Sequence, residues 1–331
     1  KSNPHTNSTV IPDLLSDSSS EVRYVGIKWI ADEGLKKYLP ELKKVLNRED
    51  LGRRDFLATL AAVAQVEGGL KSEFSTSRTL LDLVLDDSKP NRIRTIALRN
   101  LPIDFPRLTV KILDEIASSN DYSLRREAIH TLVVHPSSSK EIPLAHIASD
   151  PKVPVELRAD AIAGLASFAQ NQSPLLKKLQ ASEISILSRE ANRSLASAGI
   201  ITRKVDEKPA ENSIYAWETM LDAITQETNL ELGRRLFFHP RLATCYNCHA
   251  VDGRGMEVGP NLSHIDNESE SSRSWLLHHI LNPSSEVAPY YRPQVITTSN
   301  GKSQMGFILG REGSLQSYVG VDGKKFSVKK S

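Results

Sequence analysis

An arginine recurs through the first two thirds of this chain at a spacing that only a few architectures tolerate. Arg23, Arg54, Arg94, Arg125, Arg158 and Arg193 lie 31, 40, 31, 33 and 35 residues apart. Most copies follow an apolar residue and precede a small one: Val22-Arg23 with Gly26, Ile93-Arg94 with Ala97, Leu124-Arg125 with Ala128, and Leu157-Arg158 with Ala161. Arg54 with Leu57 and Arg193 with Ala196 are looser copies. A period of about 30–45 residues is that of helix-pair repeats. One helix pair is too small to bury its own apolar face, so neighbouring pairs must stack. Residues 1–200 are therefore expected to form a helical repeat array, the small residue letting one helix approach the next.

Turn-forming segments stand before most copies: Ser16-Asp17-Ser18-Ser19, Asp86-Asp87-Ser88-Lys89-Pro90, Ser118-Ser119-Asn120-Asp121 and Ser149-Asp150-Pro151. Ser, Asp and Asn at these places are expected to cap the next helix. An acidic turn followed by an arginine in the second helix resembles HEAT-type repeats, which implies an α-solenoid acting as scaffold or docking surface. A non-repetitive helical domain with solvated arginines is the competing reading. His130, His135 and His146 share no ligand spacing and read as ordinary histidines.

Composition excludes two classes of function. With 42 basic and 40 acidic side chains the net charge is +2, too small for nucleic-acid binding by bulk electrostatics. No run reaches the ~18 apolar residues of a membrane helix, so the chain is not expected to span a bilayer. Lys1 and the strand-like Phe326–Ser331 both read as cut ends, so a piece of a longer protein is expected.

Residues 201–213 are polar, contain Pro209 and read as a linker to a second domain over 214–331. A helix is expected over Tyr215 to Ile224, and another between Asn229, a natural cap, and Pro240. Gly233 and Phe237, one turn apart, suggest close crossing by another helix on that face. Only two cysteines occur, and they form Cys245-Tyr246-Asn247-Cys248-His249. Cys-x-x-Cys-His is the pattern for covalent haem attachment. Two thiols three residues apart reach the two vinyl groups of a porphyrin, and the adjacent His meets the iron from the same side. Three other readings stay open: a zinc site adding His239, His249 or His264, a redox Cys-x-x-Cys, and free thiols without a role.

Gly259-Pro260-Asn261-Leu262 comes after the motif, and here the chain resembles class I cytochromes c. That resemblance implies one covalent haem c held by Cys245 and Cys248, with His249 as proximal iron ligand. It also implies that the Pro260 carbonyl accepts from His249 Nδ1–H and that Leu262 packs on the haem face. Arg241 and Arg254 flank the motif as candidate propionate partners, with solvated loop arginines as the alternative. The helices at Gly233–Phe238 and Ser272–Leu281 match the first and third of that family. Gly233-Arg-Arg-Leu-Phe-Phe, the haem motif, Val258-Gly-Pro-Asn-Leu and Leu276-Leu-His-His-Ile-Leu-Asn-Pro-Ser, after HEAT-like repeats, resemble more narrowly the haem-binding domain proteins of planctomycetes and verrucomicrobia. In that group a dehydrogenase-like β-propeller often precedes the array.

Asn300-Gly301, Glu312-Gly313 and Asp322-Gly323 are turn signals separating expected strands near 294–298, 304–310, 315–320 and 325–329. The fold expected is thus mainly α: a HEAT-like solenoid over 1–200, then a cytochrome c-like domain with a small antiparallel β insertion at about 294–329.

The distal iron ligand is left open. Met305 is the candidate, although it falls in an expected strand and its other reading is a residue facing a small core. His264, His278 and His279 are further options, and Met256 lies too near the attachment loop. The expected function is single-electron transfer, as a module and not an enzyme by itself, with a redox partner protein or an upstream dehydrogenase domain. The alternative is a haem module with an open sixth site that binds a small ligand or reacts with peroxide. Dihaem peroxidases need two such motifs and this chain has one. Covalent haem c implies a periplasmic or otherwise extracytoplasmic bacterial location.

Overall fold

The computed structural model describes residues 8–68, 73–202, 208–210, 212–224, 229–256, 258–265, 272–320 and 325–329. It is mainly helical, 57% helix with 15 α-helices, and carries a small antiparallel sheet near the C-terminus. Two compact units are present, Lys1–Asp150 and Pro151–Ser331.

In the first unit the helices are α1 (Ile11–Ser16), α2 (Ser20–Asp32), α3 (Leu39–Val45), α4 (Arg53–Glu67), α5 (Glu73–Leu85), α6 (Asn91–Asn100), α7 (Val110–Ala117), α8 (Tyr122–Val134) and α9 (Glu141–Ser149). They pack in consecutive pairs, α1 with α2, α3 with α4, α5 with α6 and α7 with α8. The second members also pack on one another in turn, α2 on α4, α4 on α6 and α6 on α8. Gly26 shows why a small residue comes after the arginine: a Cβ there would stand 3.0 Å from Leu14 Cβ. Ala97 and Ala128 are fully buried at the equivalent positions.

Two of the recurring arginines, Arg23 and Arg94, are not merely solvated, while Arg54 is exposed. Arg23 is buried; its Nε and Nη2 donate to Asp55 at 3.0 and 2.8 Å, and Nη1 donates to the Asp17 and Ser18 carbonyls. Arg94 Nε donates to the Val84 carbonyl at 2.9 Å, and Nη1 pairs with Asp87 at 2.8 Å. Each clamps the turn that precedes its helix. Capping meets the expectation at Asp121, whose Oδ1 accepts from Leu124 N–H at 2.8 Å. Asp17 and Asp86 instead accept from Ser19 and Ser88 N–H two residues on, so they fold the turn itself. Pro90 and Pro154 occupy two of the cap positions, where they offer no side-chain acceptor. His135 is a core histidine: Nδ1 accepts from Ser137 N–H and Nε2–H donates to the Leu108 carbonyl, while burial lowers its pKa.

The second unit opens with α10 (Val155–Gly164), α11 (Ser173–Gln180) and α12 (Ser185–Ser197), with α12 packed on both others. Then come α13 (Ile214–Asp222), α14 (Leu230–Phe237), a two-strand hairpin of β1 (Ala250–Val251) and β2 (Arg254–Gly255), and α15 (Arg273–Leu281). Asn229 caps α14 by accepting from Leu232 N–H at 2.8 Å, and Ser272 caps α15 through Trp275 N–H. Of the expected linker, 203–207 and 211 lie outside the described residues.

The strands β3 (Gln294–Thr297), β4 (Ser303–Glu312), β5 (Leu315–Gly320) and β6 (Lys325–Lys329) form an antiparallel meander in chain order. Gly301 (φ 79) and Gly313 (φ 59) turn the first two connections. The third turn signal, Asp322-Gly323, lies outside the described residues. Gly306 is needed where it stands: a Cβ would meet the Phe326 ring at 2.9 Å, and that ring stacks on Tyr318. No helix among the described residues is long and apolar enough to cross a membrane.

Candidate functional site

The site is built on a tight turn. Thr244 takes φ 49, a left-handed conformation that costs a β-branched residue about 1–2 kcal/mol. A 3-10 turn over Cys245–Asn247 comes next, closed by Cys248 N–H and His249 N–H donating to the Cys245 carbonyl at 3.1 and 2.9 Å. Both thiols therefore sit on one turn, Cys245 half-buried and Cys248 exposed, and neither is in a disulfide. Burial raises both thiol pKa values. A nucleophilic redox pair needs the opposite shift.

His249 is held by the Gly259–Leu262 segment. Its Nδ1 lies 2.8 Å from the Pro260 carbonyl. A carbonyl only accepts, so Nδ1 carries the proton and, in the neutral ring, Nε2 keeps its lone pair. The segment is tied in place by Gly259 N–H donating to the Cys248 carbonyl at 2.6 Å and Leu262 N–H donating to the Ala250 carbonyl at 2.8 Å. Gly259 is required for this approach, because a Cβ would stand 2.8 Å from His249 Cε1. Leu262 itself is half-buried.

The β1–β2 hairpin lies between the two. Asp252 and Gly253 (φ 51 and 85) form its two-residue turn, a geometry that suits the twist of paired strands. Gly255 (φ 108) brings the returning strand against the His249 carbonyl, where a Cβ would collide with the oxygen. Arg254 is buried in this hairpin at 6% exposure, whereas Arg241 is exposed and donates through Nε to the Ser197 carbonyl at 3.2 Å. The hairpin is not among the elements expected from sequence, although the Asp-Gly dipeptide between two short apolar-polar runs is its signal.

The other candidate ligands are dispersed. Met305 stands opposite Val295 in the β3–β4 ladder and is 46% exposed, so it does not face a core. His279 Nδ1 contacts the Trp275 carbonyl at 2.8 Å and its Nε2 lies 3.6 Å from Glu286. His264 is exposed and His278 half-buried on α15. Met256 N–H donates to the Tyr246 carbonyl within the attachment loop. His239 is fully buried, and its Nδ1 accepts from Arg241 N–H at 3.1 Å. Burial, with Arg193 and Arg241 nearby, pushes its pKa down to about 4. Among the described residues no three His, Cys, Asp or Glu side chains converge as a metal set.

The segment carrying the site is anchored by α14. Arg235 is buried; its Nη1 donates to Glu156 at 2.7 Å and lies 3.4 Å from Asp160, and its Nε lies 3.4 Å from Glu190. Arg234 Nη2 pairs with Asp160 at 2.5 Å, and Arg193 with Glu190 at 2.8 Å. Asp160 and Glu190 are themselves buried on α10 and α12, and burial raises the Glu190 pKa. The expectation of close helix crossing at Gly233 is not met: a Cβ there would meet nothing within 4 Å. Arg235 lies two residues on, about 200° around the helix, and that opposite face is the one that docks. No protein-family model matches this chain, and no curated protein matches it.

Proposed function

We propose that this chain is a c-type cytochrome module that passes single electrons through one covalently held haem, on a HEAT-like α-solenoid that serves as scaffold or docking surface. The observation that carries it is the Cys245–His249 turn with His249 Nδ1 committed to Pro260 at 2.8 Å. That donor set fits a haem: two thiols on one turn, and an imidazole whose remaining nitrogen is a lone-pair donor. Cys245 and Cys248 would hold the group through thioethers, and His249 Nε2 would ligate its iron. Bound haem supplies a one-electron iron couple.

The chain's own residues set the terms of that binding. Donation from His249 Nδ1–H to Pro260 fixes the ring plane and makes Nε2 a stronger ligand. Gly259 and Gly255 keep the backbone close enough to hold this arrangement. Leu262 would supply an apolar contact to the group, and Arg241 and Arg254 cationic ones. The partner would be a redox protein or a dehydrogenase domain of the same parent, and the location extracytoplasmic. One observation favours the second reading, an open sixth site: both nitrogens of His279 have neighbours, and Met305 is committed to a strand.

Expression with covalent haem maturation tests both. A haem-stained band on a denaturing gel is expected for the parent chain and not for the Cys245→Ala, Cys248→Ala variant. An unstained parent band would sink the proposal. Carbon monoxide should leave the ferrous spectrum unchanged in the first reading and bind rapidly in the second.

A further inference from the structure

A cavity of about 350 Å³ opens in the first unit, lined by Arg53, Arg92, Thr95, Ile96, Arg99, Asp121, Ser123 and Arg126. Four guanidinium groups face one carboxylate there, in a chain whose overall charge is close to neutral. The carboxylate is already engaged, since Asp121 Oδ1 caps α8. Arg99 is paired with Glu127 at 2.8 Å. Arg53 and Arg92 differ: each donates through Nε to a neutral acceptor, Asn100 Oδ1 at 3.0 Å and the Leu51 carbonyl at 2.8 Å. Among the described residues neither has a carboxylate partner, so their terminal amino groups bring uncompensated charge to the cavity.

The backbone adds to the same field. Arg53 is the first residue of α4, Arg92 the second of α6, and Ser123 the second of α8. Three helix N-termini thus meet the cavity wall, and each carries partial positive charge. Cations in a first turn oppose the helix dipole, so this placement costs stability unless an anion is present. On α6, Arg92, Thr95, Ile96 and Arg99 fall at i, i+3, i+4 and i+7, which is one helix face. Ile96 gives that face an apolar patch between two guanidinium groups, and Thr95 and Ser123 bring hydroxyls.

We infer that this cavity is a binding site for a small molecule bearing at least two oxyanion groups, phosphate, sulfate or carboxylate. Planar guanidinium forks match such groups bidentately. The volume lies in the range of small-molecule sites and exceeds what one oxyanion fills. The site is independent of the haem reading, because none of its residues lies near the cysteine turn in sequence and haem content is not the readout.

Isothermal titration of the full chain with pyrophosphate, citrate and inorganic sulfate tests it. Saturable binding of pyrophosphate or citrate at one site per chain is expected, tighter than sulfate and weakening as salt is raised. Arg92→Ala and Arg126→Ala should each weaken it by about tenfold, and their combination should abolish it. Thermal melting accompanies each variant, and Arg53→Gln with Arg126→Gln is the substitute if the alanine pair melts early. The site is overturned if the folded parent binds none of the three probes, or if it binds them equally well in the folded variants. Preference for pyrophosphate over citrate assigns a phosphate or sulfate ester, and the reverse a polycarboxylate.

Discussion

Up to residue 200 nearly every helix contributes fully buried apolar side chains, among them Phe56, Leu98, Leu132 and Leu187. After residue 208 the buried apolar side chains among the described residues are Phe238, Ala250, Val258, Leu277 and Val319. Burying one large side chain stabilises by about 1.5–3 kcal/mol, while ordering each residue costs about 1–2 kcal/mol. By that measure the helical region closes its own core and the later region does not. It leans instead on backbone hydrogen bonds, on glycines pressed against His249, and on the docking of α14. It also leaves Tyr215, Leu230 and Ile280 between 74% and 81% exposed. A region built this way is suited to complete its core around a large apolar group such as the proposed haem.

The largest effect should come from denying it that group. In the Cys245→Ala, Cys248→Ala chain, hydrogen exchange is expected to show residues 208–329 unprotected while the helices before residue 200 keep their protection. Equal protection in both forms would erase the contrast between the regions.

Buried ion pairs are common to the two regions, and removing one partner should hurt both. Arg23→Ala would strand Asp55, whereas Arg235→Ala would leave Asp160 to Arg234 and Glu190 to Arg193 and cut both acids' tie to that position of α14. Arg23→Ala is expected to cost about 3–5 kcal/mol in urea unfolding, since an uncompensated buried charge remains, and Arg235→Ala less. If only the Arg235 variant loosens the Cys245–His249 segment, docking through α14 is what keeps that segment in place.

His239 gives the later region a pH dependence. Its pKa is about 4 in the folded chain against an ordinary 6.5, so the folded state holds it neutral. Its contribution is full above pH 6.5 and is lost as pH falls toward 4, amounting to roughly 3 kcal/mol at most. His239→Phe should flatten the stability profile between those values relative to the parent. His135 shifts in the same direction in the first unit, so an unchanged slope would assign the dependence there.

The smallest effect expected is local. Gly259→Ala would push on the His249 ring and cost about 1–3 kcal/mol as overpacking does. If the proposed haem is bound, its reduction potential and ferric spectrum should move while the helices before residue 200 melt as before.

Much of this was legible in the chain itself. The strands expected at 294–298, 304–310, 315–320 and 325–329 lie within two residues of those found, because Asn-Gly and Glu-Gly turns mark their ends locally. Asn229 announced its helix for the same reason, while the helix after Ser272 was expected from the family resemblance. The pairing of Arg235 was not legible, since its partners Glu156, Asp160 and Glu190 lie far back along the chain and obey no repeat. Gly233 misled because a gap in a helix face says nothing about whether that face is covered.

By itself the sequence determined the cysteine-histidine turn, the arginine period and the order of elements, all features written in short-range spacing. Only the tertiary structure decided that His249 Nδ1 is committed to Pro260, that Arg235 is buried between two acids, and that four arginines share one cavity. Those depend on which distant surfaces meet, and burial, not spacing, sets the energy of meeting.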